Sequence, residues 1–250
     1  MHGIALRNHL SLFLLLLLLV EPTYGQRRSR PEVGRSPAAG KFRYVTVQLG
    51  AIAGPSVSSY TDRLNDTFAS WGSSDRIEDF GPNFCLGLGV CASLSWHFSY
   101  QFGVNIYSFQ TEASFSYIND QGDAVNRRQE LRFGGATFGL NFLLNPTLKV
   151  ETRLWPFLGA GIGLASFYLD ELMDVAVDGY PYGGSSARRT KIAFGAGFVA
   201  GGVYKFSPRW GLIIQGEYLF SRARMDFYLG DNQEIKLNQG LLKIGTIYLY

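Results

Sequence analysis

The chain has 250 residues, of which 46% are hydrophobic, 15% aromatic and only 17% charged, with 30 glycines and a formal net charge of +3. Ordinary soluble domains carry about 25% charge and roughly 7% glycine. A chain this aromatic and this poor in charge is not disordered, two cysteines do not make a disulfide scaffold, and so small and localised a net charge does not describe a nucleic-acid binder.

Residues 1–25 read as a secretory signal peptide. Arg7 precedes an almost unbroken apolar run from Leu10 to Val20, and Thr23-Tyr24-Gly25 offers small residues for cleavage before Gln26. The run is too short for a spanning helix, which needs about 20 apolar residues. With no cysteine at the cleavage site, a lipid anchor is not expected. Residues 26–40 carry Arg27, Arg28, Arg30 and Arg35 with Pro31 and Pro37, and read as a basic disordered arm. Residues 41–250 make up the folded domain.

That domain has the period of two that marks strands, in eight segments. In the first, Val45, Val47, Leu49, Ala51 and Ala53 oppose Tyr44, Thr46, Gln48, Gly50 and Gly54. In the second, Phe84 to Phe98 is apolar at every even position, with Cys85, Gly87, Gly89, Cys91, Ser93, Ser95 and His97 at the odd ones. The third sets Tyr100, Phe102, Val104 and Ile106 against Gln101, Gly103 and Asn105; the fourth sets Ala136, Phe138, Leu140, Phe142 and Leu144 against Gly135, Thr137, Gly139 and Asn141. Leu158 to Leu164 alternates with Gly159, Gly161 and Gly163, and Ile192 to Tyr204 alternates with small residues and Lys205. The seventh sets Trp210, Leu212, Ile214, Tyr218 and Phe220 against Gly211, Gln215 and Glu217, and the eighth sets Leu242 to Tyr250 against Lys243 and Gly245. Phe109, Phe115 and Tyr117 change the apolar parity, as do Leu131 and Phe133 before Gly134-Gly135. A β-bulge at each change is the simplest expectation.

The non-apolar face carries Gly, Ser, Asn and Gln rather than Lys and Glu, which suits a narrow barrel lumen. The opposite face is unbroken in apolar side chains, which suits lipid, and the segments reach the 9–11 residues that a spanning strand needs. Trp96, Phe98, Tyr100, Tyr204, Trp210, Tyr248 and Tyr250 gather at segment ends, as membrane-interface aromatics do. Brief connections near 97–100 and 207–209, and a moderate one over 145–154, alternate with long ones over 55–83, 118–128, 170–189 and 226–238. Strands in lipid must close on themselves. The expected fold is all-β: an eight-stranded antiparallel transmembrane β-barrel with short periplasmic turns and four longer outer loops.

The segment Trp155-Pro156-Phe157-Leu158-Gly159-Ala160-Gly161-Ile162-Gly163-Leu164 resembles the glycine-alternating strand of eight-stranded OmpA-like and OmpX-like outer-membrane barrels. Phe194 to Gly197, Ser207 to Trp210 and Gln215 to Tyr218 are similar to the strand, turn and strand of that superfamily, and Lys243 to Tyr250 to its closing strand. The resemblance covers residues 42–250. It implies a Gram-negative outer membrane, contact with lipid and lipopolysaccharide, and a C-terminal aromatic read by the barrel assembly machinery, although that residue is usually Phe and here is Tyr250. It implies a non-enzymatic structural or interaction role through outer loops that meet host or partner proteins, without nucleic acid or cofactor. A periplasmic peptidoglycan-binding domain is not expected beside a barrel over residues 42–250. An accessory subunit of a secretion or assembly complex, a small-solute channel and a lipid-modifying enzyme are the rival readings.

Glu217 and Lys243 both have inward parity. Glu217 lies seven residues after Trp210 and Lys243 seven before Tyr250, so antiparallel neighbours bring them to similar depth. A buried charge needs a partner, and a luminal polar plug of Gln48, Asn141, Gln215, Glu217 and Lys243 is expected. His97 and Ser99 resemble the His-x-Ser pair of an outer-membrane lipid A deacylase, but no acid is near them and they lie by a periplasmic turn. Cys85 and Cys91, six apart on one strand, are about 20 Å apart, too far to bond. Asp170, Glu171, Asp174 and Asp178 match no calcium loop and read as a solvated loop, and Tyr180-Pro181-Tyr182 as exposed aromatics.

Overall fold

The computed structural model describes residues 43–95, 97–145, 152–227 and 232–250. Among the described residues, nine strands follow in chain order: β1 (Arg43–Ile52), β2 (Asn83–Ser93), β3 (Phe98–Ile118), β4 (Ala124–Leu144), β5 (Leu154–Val177), β6 (Tyr180–Lys205), β7 (Trp210–Asp226), β8 (Asn232–Lys236) and β9 (Gln239–Leu249). One helix, α1 (Ser58–Ser70), lies between β1 and β2. Neighbouring strands pair antiparallel from β1 through β7, β7 pairs with β9, and β9 returns to β1. The sheet is therefore closed. β8 and β9 meet β7 in one continuous register, so they are two parts of the eighth barrel strand.

The register fixes the shape of the barrel. Partners lead from Arg43 through Ala92, Tyr100, Phe142, Ala160, Phe198, Tyr218 and Gly240, and the Ala53 amide donates to the Gly240 carbonyl. One circuit thus advances ten residues along the chain from Arg43 to Ala53. For eight strands, that stagger tilts each by roughly 40° and leaves about 2.5 Å of height per residue. Leu154 to Leu164 of β5 then spans about 25 Å, the height of an apolar band. β5 and β6, at 24 and 26 residues, rise well beyond it.

Within the band, large apolar side chains face outward: Phe84 is 82% exposed and Phe194 78%. Above it the polarity of the wall inverts. Phe109, Phe115, Leu131, Phe133, Phe167 and Leu169 turn inward into a dry core, while Glu112, Arg128 and Arg132 lie on the outer face. No bulge accompanies the change of apolar parity: β3 and β4 pair without a break from Phe98↔Leu144 to Ile118↔Ala124. The expected bulges are therefore corrected. The side of the sheet stays fixed, and its surroundings change from lipid to water. Among the described residues, the register shift lies at Val175/Ala176, where β5 meets β6.

The outer connections differ in kind. Two of them are largely strand, since β3 and β4 are joined by the turn at 119–123 and β5 and β6 by Asp178-Gly179, both at positive φ. The first outer connection instead folds α1 over the barrel mouth. Tyr60, Leu64 and Phe68 recur every fourth residue and form its buried face. Gly72, at φ 90°, ends the helix: its amide donates to Ala69 O, and the Ser73 amide to Phe68 O. The Asp79 carboxylate accepts from the Val57 amide at 2.9 Å and ties the helix start to the returning chain.

Candidate functional site

The lumen is filled in three layers. The lowest is apolar, with Tyr44, Cys91, Leu143, Trp155, Phe157, Val199, Val203, Ile213 and Ile247 buried together. Glycines opposite these bulky groups give them room: a Cβ at Gly159 would overlap the Phe142 carbonyl, and one at Gly201 would approach the Phe157 ring to 2.7 Å.

Charge and amide groups occupy the middle layer. Lys243, 3% exposed on its side chain, places Nζ 2.8 Å from Glu217 Oε1 and donates to Asn105 Oδ1 at 2.9 Å. Asn105 Nδ2 donates to Glu217 Oε2 at 3.1 Å. Gln215 donates to Glu217 and to Gln101 Oε1, and accepts from Gln101 Nε2 at 3.1 Å and from Gln48 Nε2 at 3.3 Å. One connected network therefore spans β1, β3, β7 and β9. In the β7–β9 register Lys243 lies opposite Gln215, and Glu217 opposite Leu241, so the ion pair is a diagonal one.

Of the five residues expected in the plug, four share this network. Asn141 lines a neighbouring space of about 40 Å³ with Asn105, Thr137, Glu217, Leu219 and Leu241. Gln101 and Asn105 complete the network. Both carry the inward parity of the third segment, and nothing in their local sequence marks them beyond that.

The upper layer is the dry core under α1. Phe68 stacks on Phe115 with centroids 3.8 Å apart, and Tyr60 stacks on Phe227 at 4.0 Å. A polar latch crosses this core. The Tyr60 hydroxyl donates to Glu171 Oε1, and Arg189 Nη1 lies 2.8 Å from Glu171 Oε2. Burial pushes the Tyr60 phenol well above its ordinary value, and the Glu171 carboxylate pushes it further. Asp170, Glu171 and Asp174 do not lie in a solvated loop, as expected from sequence, but on β5. There Asp170 takes a bidentate contact from Arg188, with both nitrogens at 2.6 Å. Asp170 and Glu171 are thus held by cross-strand arginines, Asp174 is exposed on the strand, and only Asp178 stands in a turn.

At the opposite end, Phe98, Tyr100, Tyr204, Trp210 and Tyr250 are each more than one-third exposed, and Trp210 meets Tyr248 edge to face at 5.1 Å. Trp96 lies outside the described residues. His97 is exposed, while Ser99 is buried and accepts from Asn145 Nδ2 at 2.7 Å. The pair therefore faces two environments. Cys85 and Cys91 are free, buried and inward on β2.

No protein-family model and no curated protein matches the chain. Among solved structures, it is similar to the outer membrane protein OprG from Pseudomonas aeruginosa, at 11% identity over 84% of this chain and 96% of that one, with a TM-score of 0.47. It is similar to AlkL at 14% identity, covering 90% and 96% of the two chains, with a TM-score of 0.39. It is also similar to the Neisserial surface protein NspA at 16%, covering 83% and 96%, with a TM-score of 0.34. These are small outer-membrane barrels. The fold of the present chain rests on its own closed strand pairing.

Proposed function

We propose that this protein is a non-enzymatic outer-membrane barrel whose work is done by the wall that rises above the lipid band. Export through residues 1–25, and a processed chain that starts at Gln26, belong to this reading. The observation that carries it is the outer edge of β6. β6 pairs with β7 only from Gly195↔Ser221 downward, and β7 then turns to β8. From Tyr180 to Phe194, β6 has β5 as its strand partner among the described residues. Unpaired strand edges accept the extended backbone of another chain. Thr190 and Ser186 on this stretch are exposed.

A photoreactive maleimide on T190C tests the reading in intact cells, because Cys85 and Cys91 are buried. A defined protein adduct, missing when the same label sits at lipid-facing Leu49, supports it. Labelled T190C without any adduct refutes it.

A second reading, as an accessory subunit of a secretion or assembly complex, draws on the lipid-facing surface. Ala51, Ala53, Ala200, Gly216 and Gly240 floor an open groove of about 540 Å³, flanked by Leu158, Phe198, Tyr218 and Leu242. Small residues let another membrane element approach closely. A stoichiometric membrane partner in mild-detergent purification, lost in G216L, favours this reading.

A further inference from the structure

At the depth of the charged network the lumen is walled unevenly. β1, β3, β7 and β9 carry Gln48, Gln101, Asn105, Gln215, Glu217 and Lys243, which bond to one another. On β4, β5 and β6 the inward positions are largely glycine. Two cross-strand rows show this: Gly103↔Gly139↔Gly163↔Gly195, and Gln101↔Asn141↔Gly161↔Gly197. A Cβ at Gly139 would meet no atom within 4 Å, and one at Gly103 would meet the Leu88 carbonyl at 3.6 Å. Side chains are therefore missing on one side of the barrel axis, and the space of about 40 Å³ lies against these glycines.

The polar groups that line this space keep bonding capacity in hand. A carboxylate offers about four lone-pair sites. Glu217 receives Lys243 and Gln215 on Oε1 and Asn105 on Oε2, so one site is left. The Thr137 hydroxyl meets Tyr107 Oη and Gln239 Oε1, both at 3.3 Å, and keeps a lone pair. Asn141 carries the argument furthest. Its Oδ1 lies flat on the Gly161 backbone, where any Cβ would overlap it. Among the described residues its side-chain amide makes no hydrogen bond, yet it is half-buried within the lumen. Bulk water is remote from it, because Leu143 and Phe157 belong to the apolar layer below and Phe133 and Phe167 to the one above.

We infer that this space is an internal hydration site, holding a cluster of water molecules bound by Asn141, Thr137 and the remaining lone pair of Glu217. Size sets the number at about two or three, since each water needs on the order of 10–15 Å³. The lining selects the class. A cation would meet Lys243 Nζ, which lies 2.8 Å from the same carboxylate. An apolar guest would leave the Asn141 amide unpaired, and a buried polar group without a partner is costly. The cluster extends the network from β1, β3, β7 and β9 to β4, so that hydrogen bonds cross the lumen to the glycine wall. Apolar layers enclose it at both ends, and its water exchanges only when the barrel opens locally. The inference is independent of what the outer wall meets.

Proton NMR of the isotope-labelled full chain in phospholipid nanodiscs provides the test. The α-protons of Gly139 and Gly161 do not exchange with solvent, so a cross-peak from either to water reports direct contact. The expected result is such cross-peaks at both glycines and at the Asn141 side-chain amide. Gly139→Leu fills the space and should abolish them, whereas Gly139→Ser, whose hydroxyl can stand in for one water, should keep the contact at Gly161. Heat-modifiable gel mobility shows whether each variant folds. Should Gly139→Leu fail to fold, Asn141→Leu removes the amide from the other side and should strip the water contact from Gly161. Lack of water contacts at all three parent positions overturns the proposal, as do contacts that survive in the folded leucine variants. So do saturable shifts of the Leu219 and Leu241 methyl groups under xenon, which would mark a dry apolar site.

Discussion

Glu217→Gln is the sharpest probe of the luminal network, because it removes one charge and almost no volume. Lys243 stays 3% exposed and keeps Asn105 Oδ1 at 2.9 Å, but loses the carboxylate 2.8 Å away. At that separation and an effective dielectric of about 20, the gross attraction is on the order of 6 kcal/mol. Desolvation of both groups offsets much of it, so the intact pair adds little net stability. Breaking it is another matter, since a lone buried charge costs about 3–5 kcal/mol. The remaining Asn105 contact places E217Q near the lower end, about 3 kcal/mol. The double variant E217Q/K243M carries neither charge and should return to within about 1 kcal/mol of the parent, because replacing a buried pair by apolar volume is often neutral. Urea unfolding in phospholipid vesicles, followed by tryptophan fluorescence and gel mobility, measures all members of the cycle. If E217Q loses less than about 1 kcal/mol, or if the double variant is as unstable as the sum of the singles, the pair does not hold the lumen as argued.

Three further outcomes follow from the same geometry. Gly245→Val should prevent assembly into the heat-modifiable form, because a Cβ there would overlap the Val47 carbonyl and approach Gln48 Cα to 2.7 Å; Gly139→Ala, with no atom within 4 Å of its Cβ, should assemble normally. Tyr60 ties α1 to Glu171, and its folded pKa lies above the ordinary 10.0, first through burial and then through that carboxylate. Its contribution is therefore complete below pH 10 and lost as pH rises above it. Fluorescence of Trp71, whose ring lies 5.3 Å from Phe68, should report loosening of α1 only at such high pH. Tyr60→Phe should remove that dependence while costing about 1.5–3 kcal/mol for a hydrogen bond to a charged group. Purified barrels in planar bilayers should conduct no more than lipid alone, because apolar layers lie both below and above the polar one. Steady unitary currents in the parent, abolished by a bulky residue at Gly139, would contradict the sealed lumen.

Much of the membrane-embedded part was legible because its signal has a strict period. Side-chain direction alternates residue by residue, so Phe84 to Leu94 announces both a strand and its lipid side. Glu217 and Lys243 could be brought together by counting from the aromatics at Trp210 and Tyr250, since antiparallel neighbours share depth. The count could not say that they meet diagonally, because the registry of Trp210 with Tyr248 sets the offset. Gln101 and Asn105 were visible as inward residues, but their distance across the lumen from Gln215 and Glu217 depends on closure of the whole ring. Helix α1 was missed inside a long connection, although Tyr60, Leu64, Phe68 and the terminating Gly72 carry a short helical signal.

The parity change in β3 and β4 has a more general cause. Sequence shows which residues are apolar, and a reader must supply which side of the sheet is dry. Inside the bilayer the dry side is the outside, and the lumen can hold Gln101, Asn105 and Lys243 provided they satisfy one another. Above the bilayer water takes the outside, so the same inward positions must become Phe109, Phe115 and Phe133 for the barrel to keep a core. A bulge would have turned these side chains outward into solvent. Unbroken registry from Phe98 to Ile118 therefore serves both environments, with one strand changing its chemistry and not its direction. α1 follows from the same need. A mouth lined with phenylalanine cannot be left open to water, and the residues between β1 and β2 supply the amphipathic segment that covers it.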